Sequence, residues 1–329
     1  MPSFSLSVQA CRLCTANNFR LQQLIVHANS CPLTASLKLC LYCLGTVLIG
    51  ASVAPLAYWL GGAASHLHGF EFLARNEFSR FFDRSILFAA IFLLVPVIPW
   101  IGPFLALGFC GNRRFLPQLL AGFLLATFCI GTLAAGLLVT RLAWLKHPLP
   151  WAVLPNLLIT AFAVSLIEET LFRGAFLGIL RQSLSKSTSV LIVAVLFSTI
   201  HFIRPARDQI ADVRWYSGFE LLPTVFWQFS NPVLLVGGFT TILILGLMLG
   251  HAALQTRSLW LPIGLHAGIV FGKIAFNKFS KRSEDLSPWI GQDLTVGFGP
   301  ILILLFLWGL TWLLILRDPR PTLDSEHNS

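Results

Sequence analysis

The stretch that decides the fold is Ala152–Leu180, AVLPNLLITAFAVSLIEETLFRGAFLGIL. It is apolar for longer than the roughly 20 residues that cross a bilayer's hydrocarbon, yet Glu168 and Glu169 stand inside it with Arg173 one turn further on. An ionised carboxylate in hydrocarbon costs several kcal/mol, about 2.5 or more on insertion scales, so acids inside spans mark function by default. The chain has 14 acidic residues, and the span assignment places the others in loops or the tail. The pair is therefore where chemistry is expected.

Composition agrees with a membrane setting. The chain is 56% hydrophobic and 11% charged, with mean hydropathy +0.76, whereas soluble domains are roughly a quarter charged. The expectation is an all-α, polytopic membrane protein with an intramembrane cavity. Eight spans are predicted: about 37–60, 85–109, 117–142, 152–180, 188–204, 232–254, 258–276 and 296–316. Pro96, Pro99 and Pro103 interrupt the second of these. The net charge of +9 is spread over short loops, and no dense basic block interleaved with aromatics suggests nucleic-acid binding. The lipid bilayer is the expected surrounding.

Four segments follow. Residues 1–36 read as a tail or interfacial segment, 37–149 as accessory transmembrane helices, 150–276 as the catalytic core, and 277–329 as the last helix and tail. Of the seven cysteines, Cys11/Cys14 and Cys40/Cys43 imitate paired zinc ligands. The second pair falls in the first span, where cysteine packs as a small hydrophobe. The loop at about 205–231 holds Trp215, Tyr216, Phe219, Phe226, Trp227 and Phe229, rings suited to the headgroup level or to a lid.

Helical geometry separates the two glutamates. At about 100° per residue, Glu169 and Arg173 share a face and can pair, while Glu168 points away towards a polar cavity. His201 ends the fifth span, and the midpoint of 168 and 201 falls in the Ser183–Ser187 turn. An antiparallel hairpin then sets His201 at the depth of Glu168, with Phe197 packed beside the imidazole. His266 lies near mid-depth of the seventh span, flanked by Gly264 and Gly268, which allow another helix to approach closely. His251, near the end of span six, is its competitor and reads as structural.

Glu168-Glu169-x-x-x-Arg173, Phe197-x-x-x-His201 and His266, in that order on successive core helices, resemble the CAAX-protease and bacteriocin-processing (CPBP, or Abi) family of intramembrane endopeptidases. The resemblance runs from about 150 to 275. It implies an active site inside the membrane and hydrolysis of a peptide bond in a membrane-associated protein or peptide. For a bacterial member it implies the inner membrane. Glu168, His201 and His266 are then the catalytic residues, supported by Glu169, Arg173 and Phe197. In the expected scheme Glu168, oriented by His201, takes a proton from water, and His266 donates to the oxyanion. The family's third motif continues to Asn or Asp four residues after the histidine. Val270 stands there instead, and losing such a donor costs about 10²–10³ in rate when nothing replaces it.

No cofactor is required by this scheme. A zinc version would hold the ion with Glu168, His201 and His266, since catalytic zinc takes three N/O ligands plus water. Two other classes compete. One is a proton-coupled transporter, in which Glu168 and His201 relay protons. The other is a non-catalytic scaffold or bacteriocin-immunity protein, which Val270 favours.

Overall fold

The computed structural model describes residues 32–95, 108–109, 114–203, 212–232, 234–282 and 296–317, with 205, 210, 286, 289–291 and 294. Cys11, Cys14 and the prolines at 96, 99 and 103 lie outside the described residues. The helices are α1 (Pro32–Ala64), α2 (Phe78–Leu94), α3 (Phe115–Val139), α4 (Leu154–Glu169), α5 (Lys186–Phe202), α6 (Ser217–Leu221), α7 (Thr240–Thr256), α8 (Trp260–Phe279) and α9 (Phe298–Thr311). A wider π turn, Thr170–Phe176, carries α4 on to a last α-helical turn, Leu177–Leu180.

This is an all-α membrane protein. Helices meet the bilayer's demand that every backbone N–H and C=O be satisfied within the segment. Five segments are long and apolar enough to cross it: Leu37–Ala64, Phe115–Val139, Trp151–Leu180, Leu234–Thr256 and Phe298–Leu316. Leu124, Phe128, Ile159 and Leu302 on these helices keep more than 60% of their surface exposed, as lipid-facing side chains do.

The eight-span expectation is therefore met in full at five places. The predicted fifth span is α5, a shorter apolar helix over Lys186–Phe202. Over the predicted second span the described helix is α2, which starts at Phe78, and over the predicted seventh it is α8; neither is among the five. Ahead of residue 85, where a loop was expected, Arg80, Asp83 and Arg84 occupy the exposed side of an amphipathic helix whose other side buries Phe78, Phe81, Phe82, Ser85 and Ala89. Asp83 and Glu220 are thus helical rather than in loops. Within the five spans Glu168 and Glu169 remain the acids present.

The chain divides into two compact units, one within Met1–Ala106 and Gly174–Leu235, the other within Leu107–Arg173 and Val236–Ser329. In the first, α1 and α2 pack closely at Gly50. A Cβ there would lie 2.5 Å from Ile86 Cδ1 and 2.8 Å from its Cα. Ala51, Ala54, Phe78 and Phe82 form an apolar cluster with Leu221 and Val225. The supposed aromatic loop is therefore largely helical: α6 leads into a 3-10 run, Leu222–Ser230. Trp215, Phe226 and Trp227 stay exposed. Cys40 and Cys43 are free thiols on α1.

In the second unit α8 is the centre, packed against α3, α4 and α7. Leu119, Phe123 and Ile130 of α3 cover Gly264, Gly268 and Gly272. A Cβ on Gly268 would meet Phe123 O at 2.5 Å, so the close approach expected at these glycines occurs. The reversal from α7 to α8 turns on Arg257, which takes the left-handed conformation (φ 48°) uncommon outside glycine. Ser258 Oγ then accepts from Trp260 N at 3.3 Å to start α8. At its far end Lys146 Nζ donates to the carbonyls of Asn277 and Lys278 at 3.0 and 2.9 Å, where a cation complements the helix dipole. A two-stranded antiparallel ribbon, β1 (Ala143–Leu145) with β2 (Ser280–Arg282), closes the same end.

Candidate active site

α4 and its π turn deliver three charged side chains within two turns. Glu169 is sealed from solvent, and its Oε1 accepts from Arg173 Nη1 at 2.8 Å. The i,i+4 spacing had predicted this pair. Arg173, equally buried, also donates from Nη2 to Gly246 O of α7 at 3.1 Å. The site residues thus tie α4 to the small-residue stretch of a neighbouring helix.

α8 adds the third group. His266 Nδ1 lies 2.8 Å from Glu169 Oε1. A carboxylate only accepts, so the ring donates from Nδ1, and this fixes both its orientation and the position of one proton. Its other nitrogen, Nε2, stands 3.8 Å from Glu168 Oε2. That is beyond a direct hydrogen bond and suits a shared small molecule such as water. Glu168 keeps 23% of its side chain exposed, against 0% for Glu169. The adjacent side chains therefore differ in exposure, although Glu168 Oε2, the oxygen facing His266, is itself buried.

Two carboxylates and the Arg173 guanidinium meet within this site, and low-dielectric surroundings tolerate such groups when they are paired. Buried pairs of this kind do not add stability by existing. Breaking one by removing a partner costs about 3–5 kcal/mol, because the remaining charge stays buried.

His201 lies in the other compact unit, at the end of α5. Its Nδ1 is 2.8 Å from Phe197 O, so it donates to that carbonyl and, when the ring is neutral, leaves Nε2 as the acceptor. The buried Phe197 ring packs on the imidazole with centroids 4.3 Å apart, as expected. Ser185 starts α5 as its N-cap, accepting from Thr188 N at 3.2 Å. Glu168 and His201 belong to different units, and their pairing belongs to the proposal below.

The other sequence candidates sort clearly. His251 accepts from Trp308 Nε1 at 3.0 Å and has Gln255 Nε2 3.4 Å from its other nitrogen, a structural role. Val270, half-buried, follows His266 by one helical turn. For zinc, no group of three or more His, Cys, Asp or Glu side chains among the described residues is arranged to hold an ion. The residues present therefore do not form a ready metal cluster.

One feature escaped the sequence reading: the Glu169–His266 contact joins positions 97 apart, and nothing in local spacing announces it.

No curated protein and no solved structure matches the chain. A family model does match: residues 149–272, the stretch that carries Glu168, Glu169, Arg173, His201 and His266, are similar to the family described as type II CAAX prenyl endopeptidase Rce1-like.

Proposed function

We propose that the protein is an intramembrane endopeptidase that hydrolyses a peptide bond of a membrane-associated substrate with water activated by Glu168. The observation that carries this reading is the 3.8 Å gap between Glu168 Oε2 and His266 Nε2, beside a His266 already held by a buried carboxylate. The family match supports a CAAX-type protease, and its description supports prenylated peptides as first substrates to try.

In this scheme Glu168 takes a proton from water as the oxygen attacks the scissile carbonyl. His201 Nε2 accepts the second water hydrogen and aims the lone pair. His266 Nε2–H donates to the oxyanion, while Glu169 compensates the ring's charge from Nδ1. When the tetrahedral intermediate collapses, Glu168 returns its proton to the leaving amine. Water is consumed, one acid and one amine are formed, and the site ends as it began. General base catalysis contributes about 10²–10⁴-fold and an oxyanion donor about 10²–10³.

Purified protein in liposomes without any ion gradient is expected to cut a peptide bearing an S-prenyl cysteine. Cleavage that appears only with an imposed proton gradient, or translocation without cleavage, would favour the transporter class instead. Sensitivity to chelators, reversed by zinc, would favour the metal version of the same site.

A further inference from the structure

We propose that the β1–β2 ribbon end of the second unit, around Arg141, Lys278 and Lys281, is a binding surface for the headgroups of anionic phospholipids. This surface is separate from the site around His266 and independent of its chemistry.

Three helix ends fix its depth. The span Phe115–Val139 ends here and the span Trp151–Leu180 begins here. Beside them α8 ends at Phe279, whose carbonyl accepts from Lys146 N at 2.9 Å. Segments that cross the hydrocarbon end at the headgroups, so the ribbon lies at the membrane surface. Its apolar side chains agree with that level. Trp144, Leu145 and Trp151 stay exposed, and the Trp151 ring packs edge-on against Phe279. Indole rings with one side against protein and the other outside suit the headgroup layer.

The cations supply the preference for negative charge. Trp144 pairs with Lys281 across the ribbon, so ring and ammonium leave one face. Arg141, Lys278 and Lys281 are exposed, and among the described residues none of their side chains has a partner. Lys146 is engaged by the carbonyls of Asn277 and Lys278, and Arg282 by those of Gly291 and Ile290. These acceptors are neutral, so both residues keep their charge at this end. Described residues 139–151 and 277–282 contain no acid; Glu284 and Asp285 follow in the sequence, outside the described residues. Zwitterionic headgroups carry their own cation. Anionic ones leave the phosphate charge to be met, and clustered Lys and Arg beside a span meet it. From His266 to Phe279 α8 rises roughly 20 Å at about 1.5 Å per residue, so substitutions in the ribbon leave the histidine untouched.

The test titrates the purified full chain in neutral detergent with phosphatidylglycerol or phosphatidylcholine, counting bound lipid by native mass spectrometry. Each exposed cation is expected to favour the anionic lipid by about fivefold in affinity, and the three together by about a hundredfold. Raising salt from about 50 mM to about 500 mM should remove most of that preference. R141Q/K278Q/K281Q should lose it, and R141K/K278R/K281R should keep it. R75Q/R84Q, at exposed positions of the other unit, should bind as wild type does. Equal binding of the two lipids by wild type, a preference surviving in R141Q/K278Q/K281Q, or the same loss in R75Q/R84Q would each overturn the assignment. Displacement of phosphatidylglycerol by an equal concentration of glycerol phosphate would assign the cations to a soluble anion and also overturn it. Where the triple variant does not fold, the three single variants carry the test, each with about a fivefold loss.

Discussion

The two histidines of the family motifs are held by different means. His266 is tied by a buried carboxylate that a buried guanidinium also holds. His201 is tied by the backbone carbonyl of its own helix, one turn back, under a phenylalanine ring. A carboxylate sets negative charge beside the ring nitrogen that donates to it, whereas a carbonyl holds that nitrogen without a formal charge. The first suits a donor to developing negative charge, and the second suits an acceptor that orients water. The surroundings thus support the different roles proposed for the two rings.

If the anchors differ in this way, removing them should differ in cost. R173M leaves Glu169 buried beside a single partner, and we expect a loss of about 3–5 kcal/mol in unfolding experiments in detergent. H201Q should cost only about 0.5–1.5 kcal/mol, the worth of one ordinary hydrogen bond. Equal losses at the two sites would erase the contrast.

The next effect concerns rate. H266A should lower kcat by about 10²–10³, measured with the prenylated peptide under saturating conditions. A change confined to KM would make His266 a binding residue and remove its proposed charge role.

A smaller effect is expected at Val270. If a donor were missing there, V270N would raise kcat by about 10²–10³. With His266 donating from Nε2 we expect no gain of that size, and steady-state kinetics of the single variant checks it. A large gain would show that the charge opposite Glu168 is under-stabilised in the wild type.

Much of this site was legible in the chain. Helical period alone paired Glu169 with Arg173 and turned Glu168 away, because i,i+4 neighbours meet whatever else the fold does. Phe197 against His201 followed from the same rule. The Glu169–His266 contact did not, since the period of one helix says which residues share a face but not which helix that face meets. The π turn after Glu169 was also invisible: Thr170–Phe176 has no residue that forces i+5 bonding, and such turns often sit at functional sites. At α2, scattered charges concealed an amphipathic helix, because the reading sought continuous apolar runs. The β1–β2 ribbon is too short for any alternation to show.

The central claim is that the adjacent glutamates divide chemistry from architecture, and the most direct measurement compares E168Q with E169Q for both unfolding and peptide cleavage. The account expects E168Q to unfold like wild type while losing about 10²–10⁴ in kcat. E169Q should be destabilised by several kcal/mol, about 3–5, because Arg173 and His266 lose their shared carboxylate. Full cleavage by E168Q, or an E169Q protein as stable as wild type, would contradict it.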